Sequence, residues 1–144
     1  MIEVKIVNTS SNQLPQYESV GASGLDVKAN LKEPVELGVF EVKVIPTGYF
    51  VEIPKGYEIQ VRSRSGLAAK SGIIVLNSPG TIDSDYRGEI GIILINLGTQ
   101  KFTINNGDRI AQLVLCPVEK IQWDNVICLG STERNSGGFG STGI

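Results

Sequence analysis

The chain has 144 residues, of which 41% are hydrophobic and 19% are charged, and its formal net charge is −2. This length and composition predict one folded domain and exclude a disordered chain, and the near-neutral charge argues against broad, non-specific binding to nucleic acid. Histidine is absent, which excludes Ser-His-Asp and Cys-His catalysis and every metal site that needs an imidazole ligand.

Alternation of apolar and polar residues predicts half-buried β-strands in the first half of the chain. These strands cover residues 2–6, 40–44 and 57–61. The helix candidate is short, Leu67–Lys70, and follows Ser65-Gly66. A nearly continuous apolar run at residues 90–97 predicts a strand that is buried on both faces. Further strands are predicted at residues 101–104, 110–118 and 121–126.

Short segments with turn-forming residues separate these runs. They cover residues 46–48, 54–56, 78–80 and 105–107. Many short strands with turns at regular intervals are typical of a β-sandwich or a barrel. We therefore expect an all-β domain with one short helix.

The residues from Gly130 to Ile144 have a different composition, rich in glycine, serine and threonine. Such a segment buries too little apolar surface to offset the entropy of ordering it. We therefore expect residues 1–130 to form the β domain and residues 131–144 to form a mobile arm. Because the arm carries Arg134 and Phe139, we interpret it as a lid that orders on a ligand, with a frayed C-terminus as the alternative.

Nothing in the sequence indicates a membrane or an export route. No stretch approaches the roughly 20 apolar residues of a membrane span, and residues 1–7 lack the regions of a signal peptide. Cys116 and Cys128 have no CxxC partner, which favours reduced core thiols over an isolated disulfide. We therefore expect a cytoplasmic protein that binds neither membrane nor nucleic acid.

Two segments carry groups that suit phosphate chemistry. Arg64-Ser65-Gly66 opens the helix candidate, where backbone N–H groups and a guanidinium would bind a phosphate; a capped helix with a surface arginine is the alternative. Asp83 and Asp85 share a face if their segment is extended. Without histidine, a carboxylate is the natural general base for activating water. Asx turns in a surface loop would also explain both residues.

Asp26 is an acid inside an apolar, strand-like run, so it is either an exposed alternate residue or a cation ligand. Hard oxygen ligands suit Mg²⁺, which keeps several waters and usually takes substrate phosphates as further ligands. Residues 107–112 form a turn that leads into a strand, for which a plain hairpin with a surface ion pair is the alternative. There is no P-loop, and Gly137-Gly138-Phe139-Gly140 lacks the βαβ surroundings of a Rossmann motif.

Taken in chain order, five segments resemble the five motifs of the trimeric dUTP pyrophosphatases (dUTPases). They cover residues 22–26, 64–73, 77–88, 107–112 and 134–143. Two departures are visible. Ser63 stands where many members have proline, and Asn135 replaces the glycine that commonly follows the arginine of the fifth motif.

The resemblance implies a jelly-roll-like β-barrel that forms a homotrimer, with each active site built from three subunits. It implies Mg²⁺-dependent hydrolysis of dUTP to dUMP and pyrophosphate. This reaction removes dUTP from the nucleotide pool and supplies dUMP for thymidylate synthesis.

The resemblance also implies a role for each site residue. Asp83 would orient and deprotonate the attacking water, and Tyr86 would pack on the deoxyribose and exclude a 2′-hydroxyl. Asp26 would hold a water on the Mg²⁺ ion bound to the triphosphate. Uracil would be read by Asn77 with the backbone around Gly80, Thr81 and Ile82. The phosphates would contact Arg64, Ser65, Gly66 and Gln112. In the tail, Phe139 would stack on uracil, while Arg134, Ser141 and Thr142 would close over the phosphates. Gly140 would also belong to the substrate-binding residues.

Two other functions are compatible with a jelly-roll domain. A dCTP deaminase of the same fold would have a catalytic glutamate in the strand after Gly88, and the corresponding position is Ile93. A non-catalytic binding or regulatory module would not need a water-activating carboxylate beside an anion site. The residues therefore favour the hydrolase over both alternatives.

Overall fold

The computed structural model describes residues 1–138, which contain ten strands and one helix. The strands are β1 (Lys5–Asn8), β2 (Leu25–Lys28), β3 (Val35–Leu37), β4 (Val42–Glu52), β5 (Tyr57–Arg62), β6 (Ile73–Val75), β7 (Gly80–Ile82), β8 (Glu89–Asn96), β9 (Phe102–Ile104) and β10 (Arg109–Pro117), and the helix is α1 (Ser65–Ser71). The expectation of an all-β domain with one short helix is confirmed.

Two four-stranded sheets pack against each other, and every strand pair is antiparallel. Their strand orders are β1-β4-β8-β6 and β2-β10-β5-β7, and β3 pairs with β9 in a small third sheet. One hydrophobic core contains residues of both large sheets, such as Tyr49, Leu94, Val27 and Leu113. No ladder joins the two large sheets within residues 1–138, so the prediction of a sandwich is confirmed and these residues form no closed barrel.

Strand β4 continues through residues 46–48, where the sequence predicts a turn, and this prediction is wrong. The pairing of β4 with β8 shifts its register between Pro46 and Phe50, which indicates a bulge rather than a chain reversal. The carboxylate of Glu89 accepts hydrogen bonds from the backbone N–H groups of Thr47 at 3.1 Å and Gly48 at 2.7 Å. A distant side chain therefore satisfies the donors that the bulge takes out of the ladder.

Strand β8 is buried on one face only, so the prediction of burial on both faces is wrong. Ile90, Ile92 and Leu94 are buried, whereas the alternate residues Ile93 and Ile95 are half-buried. Across the ladder between β4 and β8, Val42 pairs with Ile95 and Val44 pairs with Ile93, and both valines are exposed. The outer surface of this sheet is therefore unusually apolar for a surface that faces water.

The strand predicted at residues 121–126 does not form in the single chain. A strand needs a neighbour that takes up its backbone hydrogen bonds, and no segment of residues 1–138 pairs with this one. Both cysteines are free thiols, as predicted, but neither lies in the core, since Cys116 is half-buried and Cys128 is exposed. No helix in the described part of the chain is long and apolar enough to cross a membrane.

Helix α1 ends at Ser71 and is capped by Gly72, which adopts a left-handed conformation with φ +67°. A Cβ atom at this position would lie 2.5 Å from the backbone nitrogen of Gly98. Only glycine fits at position 72, because the backbone is left-handed there and a second backbone segment leaves no space for a Cβ atom.

We expect Gly72→Ala to lower the free energy of unfolding by more than Gly56→Ala does. Gly56 also has a positive φ, of +86°, but no atom lies within 4 Å of the position its Cβ would take. The Gly56 variant therefore measures only the cost of placing alanine in a left-handed conformation, about 1–2 kcal/mol. The Gly72 variant has the same cost and a backbone clash in addition. Urea denaturation of both variants tests this, and equal losses would contradict the role of the close approach.

Candidate active site

A polar cleft of about 490 Å³ lies against strands β2, β5 and β10. Three residues that the sequence predicted for phosphate or metal binding line it together: Asp26, Arg64 and Gln112. Its other lining residues are Glu18, Ala22, Ser23, Gly24, Arg62, Arg109 and Val114. The structure therefore brings the first, second and fourth resembling segments to one place.

Asp26 is the best-buried acid of the cleft and is bound by two arginines. Its carboxylate lies 3.2 Å from a terminal nitrogen of Arg64 and 3.2 Å from one of Arg109. The Nε–H of Arg64 donates to the same carboxylate at 3.3 Å, and Nη1 donates to the carbonyl oxygen of Arg109 at 3.0 Å. Arg64 is thus held in one orientation by its contacts on both sides.

Helix α1 begins directly after Arg64, whose backbone is extended. No side chain caps this end of the helix, so the first N–H groups of the helix are available to another acceptor. Ser65 and Gly66 supply two of these groups, next to the guanidinium of Arg64. The phosphate-binding role of this segment stays a prediction.

Ser63, one of the two departures from the resembling motifs, has a clear structural role. Its hydroxyl oxygen accepts a hydrogen bond of 2.9 Å from the backbone N–H of Val75. Val75 is buried in β6, and an unsatisfied buried donor costs roughly 1–3 kcal/mol. Ser63 therefore ties the segment before the helix to the strand that leads towards Asn77.

The third resembling segment forms β7 and the turn that follows it. Gly80, Thr81 and Ile82 belong to β7, and Asp83 follows directly as an exposed residue. The backbone N–H of Tyr86 donates to the carbonyl oxygen of Asp83 at 3.1 Å, which closes a turn. The expectation that Asp83 and Asp85 share a face of an extended segment is therefore wrong.

The predicted site residues fall into two groups in the single chain. The cleft group contains Asp26, Arg64 and Gln112, whereas the cleft lining includes none of Asn77, Asp83 and Tyr86. Strand β5 separates the groups, since it pairs with β10 on one edge and with β7 on the other. This chain by itself therefore does not gather all of these residues into the cleft.

The described part of the tail, residues 131–138, contains a compact turn. Thr132 and Asn135 exchange two hydrogen bonds between side chain and backbone, at 3.1 and 3.0 Å. Asn135 has φ +43°, a conformation that glycine favours and asparagine tolerates better than most residues. This explains how asparagine replaces the glycine of the resembling motif.

Arg134 is exposed and donates from Nε to the carbonyl oxygen of Gly137 at 2.8 Å. The remaining predicted tail residues lie outside the described part of the chain: Phe139, Gly140, Ser141 and Thr142.

Sequence reasoning assigned no role to three charged residues that line the cleft: Glu18, Arg62 and Arg109. Arg109 pairs with Glu18 at 3.4 Å as well as with Asp26. The spacing of Arg62 and Arg64 in extended backbone puts both on one side of the chain, and this signal would have identified Arg62. No local signal links Arg109 to Asp26, because their contact depends on the pairing of β2 with β10.

The protein groups alone do not form a metal site. Among residues 1–138, no three His, Cys, Asp or Glu side chains are grouped so that they could hold a metal ion. Asp26 supplies a single carboxylate that two arginines already contact. This fits Mg²⁺ only if phosphates and waters supply most of its oxygen ligands, with Asp26 acting through a bridging water.

Comparison with known proteins identifies a family and several similar proteins. The sequence model of the dUTPase family matches residues 10–143. A deoxyuridine 5'-triphosphate nucleotidohydrolase of Bdellovibrio bacteriovorus is 58% identical over 142 residues, which are 99% of this chain and 95% of that protein. The fold is similar to that of a variant dUTPase of Staphylococcus bacteriophage 80alpha solved with dUpNHpp, with a TM-score of 0.88, 26% identity and 99% of both chains covered.

The fold is also similar to that of a variant dUTPase from phage phi11 of S. aureus, with a TM-score of 0.80 and 26% identity. This match covers 90% of this chain and 99% of the phage chain. The phage structure is described as revealing the coordination of a structural Mg(II) ion. The match of the family model to nearly the whole chain and the 58% identity to the Bdellovibrio protein show that the chain belongs to the dUTPase family.

Proposed function

We propose that this protein hydrolyses dUTP to dUMP and pyrophosphate in a Mg²⁺-dependent reaction. The observation that carries the proposal is the cleft in which Arg64 is fixed by Asp26 next to the uncapped start of α1. Such a site binds a polyphosphate, and membership of the dUTPase family points to dUTP. In the cytoplasm, the reaction would remove dUTP from the nucleotide pool and supply dUMP for thymidylate synthesis.

The phosphates are bound by cations and backbone donors. Arg64 offers a planar guanidinium in a fixed orientation, and Ser65 and Gly66 offer N–H groups at the start of α1. Gln112 extends the donor set from β10, where it pairs with Asp26 in the ladder. When bound, Mg²⁺ supplies further neutralisation of the triphosphate charge, and Asp26 would contact one of its waters.

Asp83 acts as the general base. It accepts a proton from a water molecule while the water oxygen forms a bond to the α-phosphorus. The bond between the α-phosphorus and its bridging oxygen breaks, and that oxygen leaves with pyrophosphate. Asp83 is suited to this because it is exposed to solvent at the end of β7.

Base and sugar are selected by the segment around β7. Asn77 lies against Gly80, where a Cβ would meet the Asn77 amide nitrogen at 3.0 Å, and the two residues read the uracil edge together with Thr81 and Ile82. Tyr86 is 43% exposed, and its ring packs on the deoxyribose. Favourable contacts alone discriminate between two bases that differ by one methyl group by only ~1–3 kcal/mol. A pocket too small for the methyl group of thymine excludes thymine more strongly.

The active form is a homotrimer with shared sites. The separation of the cleft group from Asn77, Asp83 and Tyr86 supports this, because a neighbouring copy would complete each site. The apolar outer surface of β4 and β8 supports it too, since soluble monomers rarely leave such a patch uncovered. Further apolar side chains are exposed in the segment after β10: Ile121, Trp123, Val126, Ile127 and Leu129.

The tail closes the occupied site. Arg134, Ser141 and Thr142 would cover the triphosphate, with Phe139 stacked on uracil. Covering the ligand excludes bulk water and strengthens each electrostatic contact inside the site. Residues 131–144 would in this way act as a lid on the domain formed by residues 1–130.

We expect the purified protein with Mg²⁺ to release pyrophosphate from dUTP and to release it far more slowly from dTTP, dCTP and UTP. Removing Mg²⁺ with a chelator should lower the rate sharply, because the triphosphate charge is then less neutralised. Steady-state pyrophosphate release from the four nucleotides is the measurement. Equal turnover of all four would contradict the proposed specificity, and release of ammonia from dCTP would favour a deaminase.

A further inference from the structure

The ring of Tyr86 occupies space that a side chain at position 88 would fill. A Cβ atom built on Gly88 would lie 2.5 Å from Cζ and 2.9 Å from Cε2 of the Tyr86 ring, and it would also collide with the phenol oxygen. Real Cβ atoms do not approach other heavy atoms within 3.0 Å. The present position of the ring is therefore compatible only with glycine at position 88.

The far end of the ring is held by β8. The phenol O–H of Tyr86 donates to the carbonyl oxygen of Glu89 at 3.0 Å. Glu89 is itself fixed, because its carboxylate accepts the N–H groups of Thr47 and Gly48 in the bulge of β4. The acceptor for Tyr86 is therefore part of the packed sandwich and does not follow the turn if the turn moves.

The backbone of the turn is also held. Nη1 of Arg87 donates to the carbonyl oxygens of Ser84 and Tyr86, both at 2.8 Å. Gly88 is not among the glycines with positive φ, which are Gly48, Gly56, Gly72 and Gly107. Alanine at position 88 is thus compatible with the backbone, and the clash is relieved by movement of the Tyr86 side chain to another rotamer.

We propose that Gly88 is a specificity-determining position, which sets the discrimination between deoxyribose and ribose by leaving room for the Tyr86 ring. Gly88 is a positioning residue, since it acts through Tyr86 and touches no substrate itself. The inference rests on the proposed function, because it requires Tyr86 to pack on the sugar of dUTP.

The test compares kcat/KM for dUTP and UTP in the wild type, Gly88→Ala, Tyr86→Ala and the double variant. We expect Gly88→Ala to lower the dUTP/UTP ratio by about tenfold or more, because the displaced ring no longer excludes a 2′-hydroxyl. In the Tyr86→Ala background, the same substitution should leave the ratio unchanged. Gly38→Ala is the matched control, since its φ is also not positive and its Cβ would meet only the Glu41 side chain, at 3.3 Å from a carboxylate oxygen and 3.8 Å from Cβ.

The outcomes separate the two proposals. If the wild type does not hydrolyse dUTP, the proposed function fails. If the wild type prefers dUTP and Gly88→Ala keeps the same ratio, the role of Gly88 is overturned while the function stands. A fall of equal size in the Tyr86→Ala background would also overturn it, because Gly88 would then not act through the ring. Thermal unfolding of each variant shows whether the sandwich remains intact.

Discussion

Asp83→Asn is expected to lower kcat for dUTP by about 10²–10⁴-fold, the range typical of removing a general base. The amide has almost the same shape as the carboxylate but does not accept a proton from water. Substrate binding should be preserved, since the cleft that we propose to bind the phosphates does not include Asp83. Pyrophosphate release measures the first effect, and calorimetric titration with dUpNHpp measures the second.

Asp85→Asn is the matched control for this experiment. Asp85 lies in the same turn, is exposed like Asp83, and undergoes the same loss of charge. We expect it to retain a rate close to that of the wild type. A near-normal rate for Asp83→Asn, or an equally large loss for Asp85→Asn, would remove Asp83 from the mechanism.

Deletion of residues 131–144 is expected to lower turnover by about 10²-fold or more, the effect of losing donors that stabilise the developing charge. The deletion removes Arg134 and the predicted contacts of Phe139, Ser141 and Thr142 with substrate. It leaves the sandwich complete, because all ten strands end before residue 118. Pyrophosphate release and analytical ultracentrifugation together test the prediction.

Ultracentrifugation serves as the control, since the truncated protein should sediment as a trimer, the state that we propose for the full chain. Arg134→Ala in the intact chain should give a smaller loss than the deletion, because the rest of the arm remains. A fully active truncated protein would contradict the role of the tail as a lid.

The strands were predictable where a local pattern determines them. Residues 57–61 alternate in polarity and form β5 almost as predicted. Residues 46–48 have the composition of a turn but continue β4, because Glu89, some forty residues further along, bonds the freed N–H groups. Residues 121–126 have the pattern of a strand, but pairing needs a neighbour that residues 1–138 do not offer. Both errors have the same cause, since a local pattern does not show whether a distant partner bonds the backbone groups.

The site was predictable to a similar extent. Resemblance to known motifs identified Asp26, Arg64 and Gln112, and the structure places all three along one cleft. It gave no indication that Arg109 shares the carboxylate of Asp26. That ion pair is created by the register between β2 and β10, which no short motif encodes.

The division of the predicted site residues between two regions of the chain has a consequence for trimers that mix two mutant chains. In the proposed trimer with shared sites, a chain with an altered turn after β7 would still contribute intact arginines to a neighbouring site, and a chain with an altered cleft would still contribute an intact aspartate. Mixed trimers of two different inactive variants would therefore contain some complete active sites.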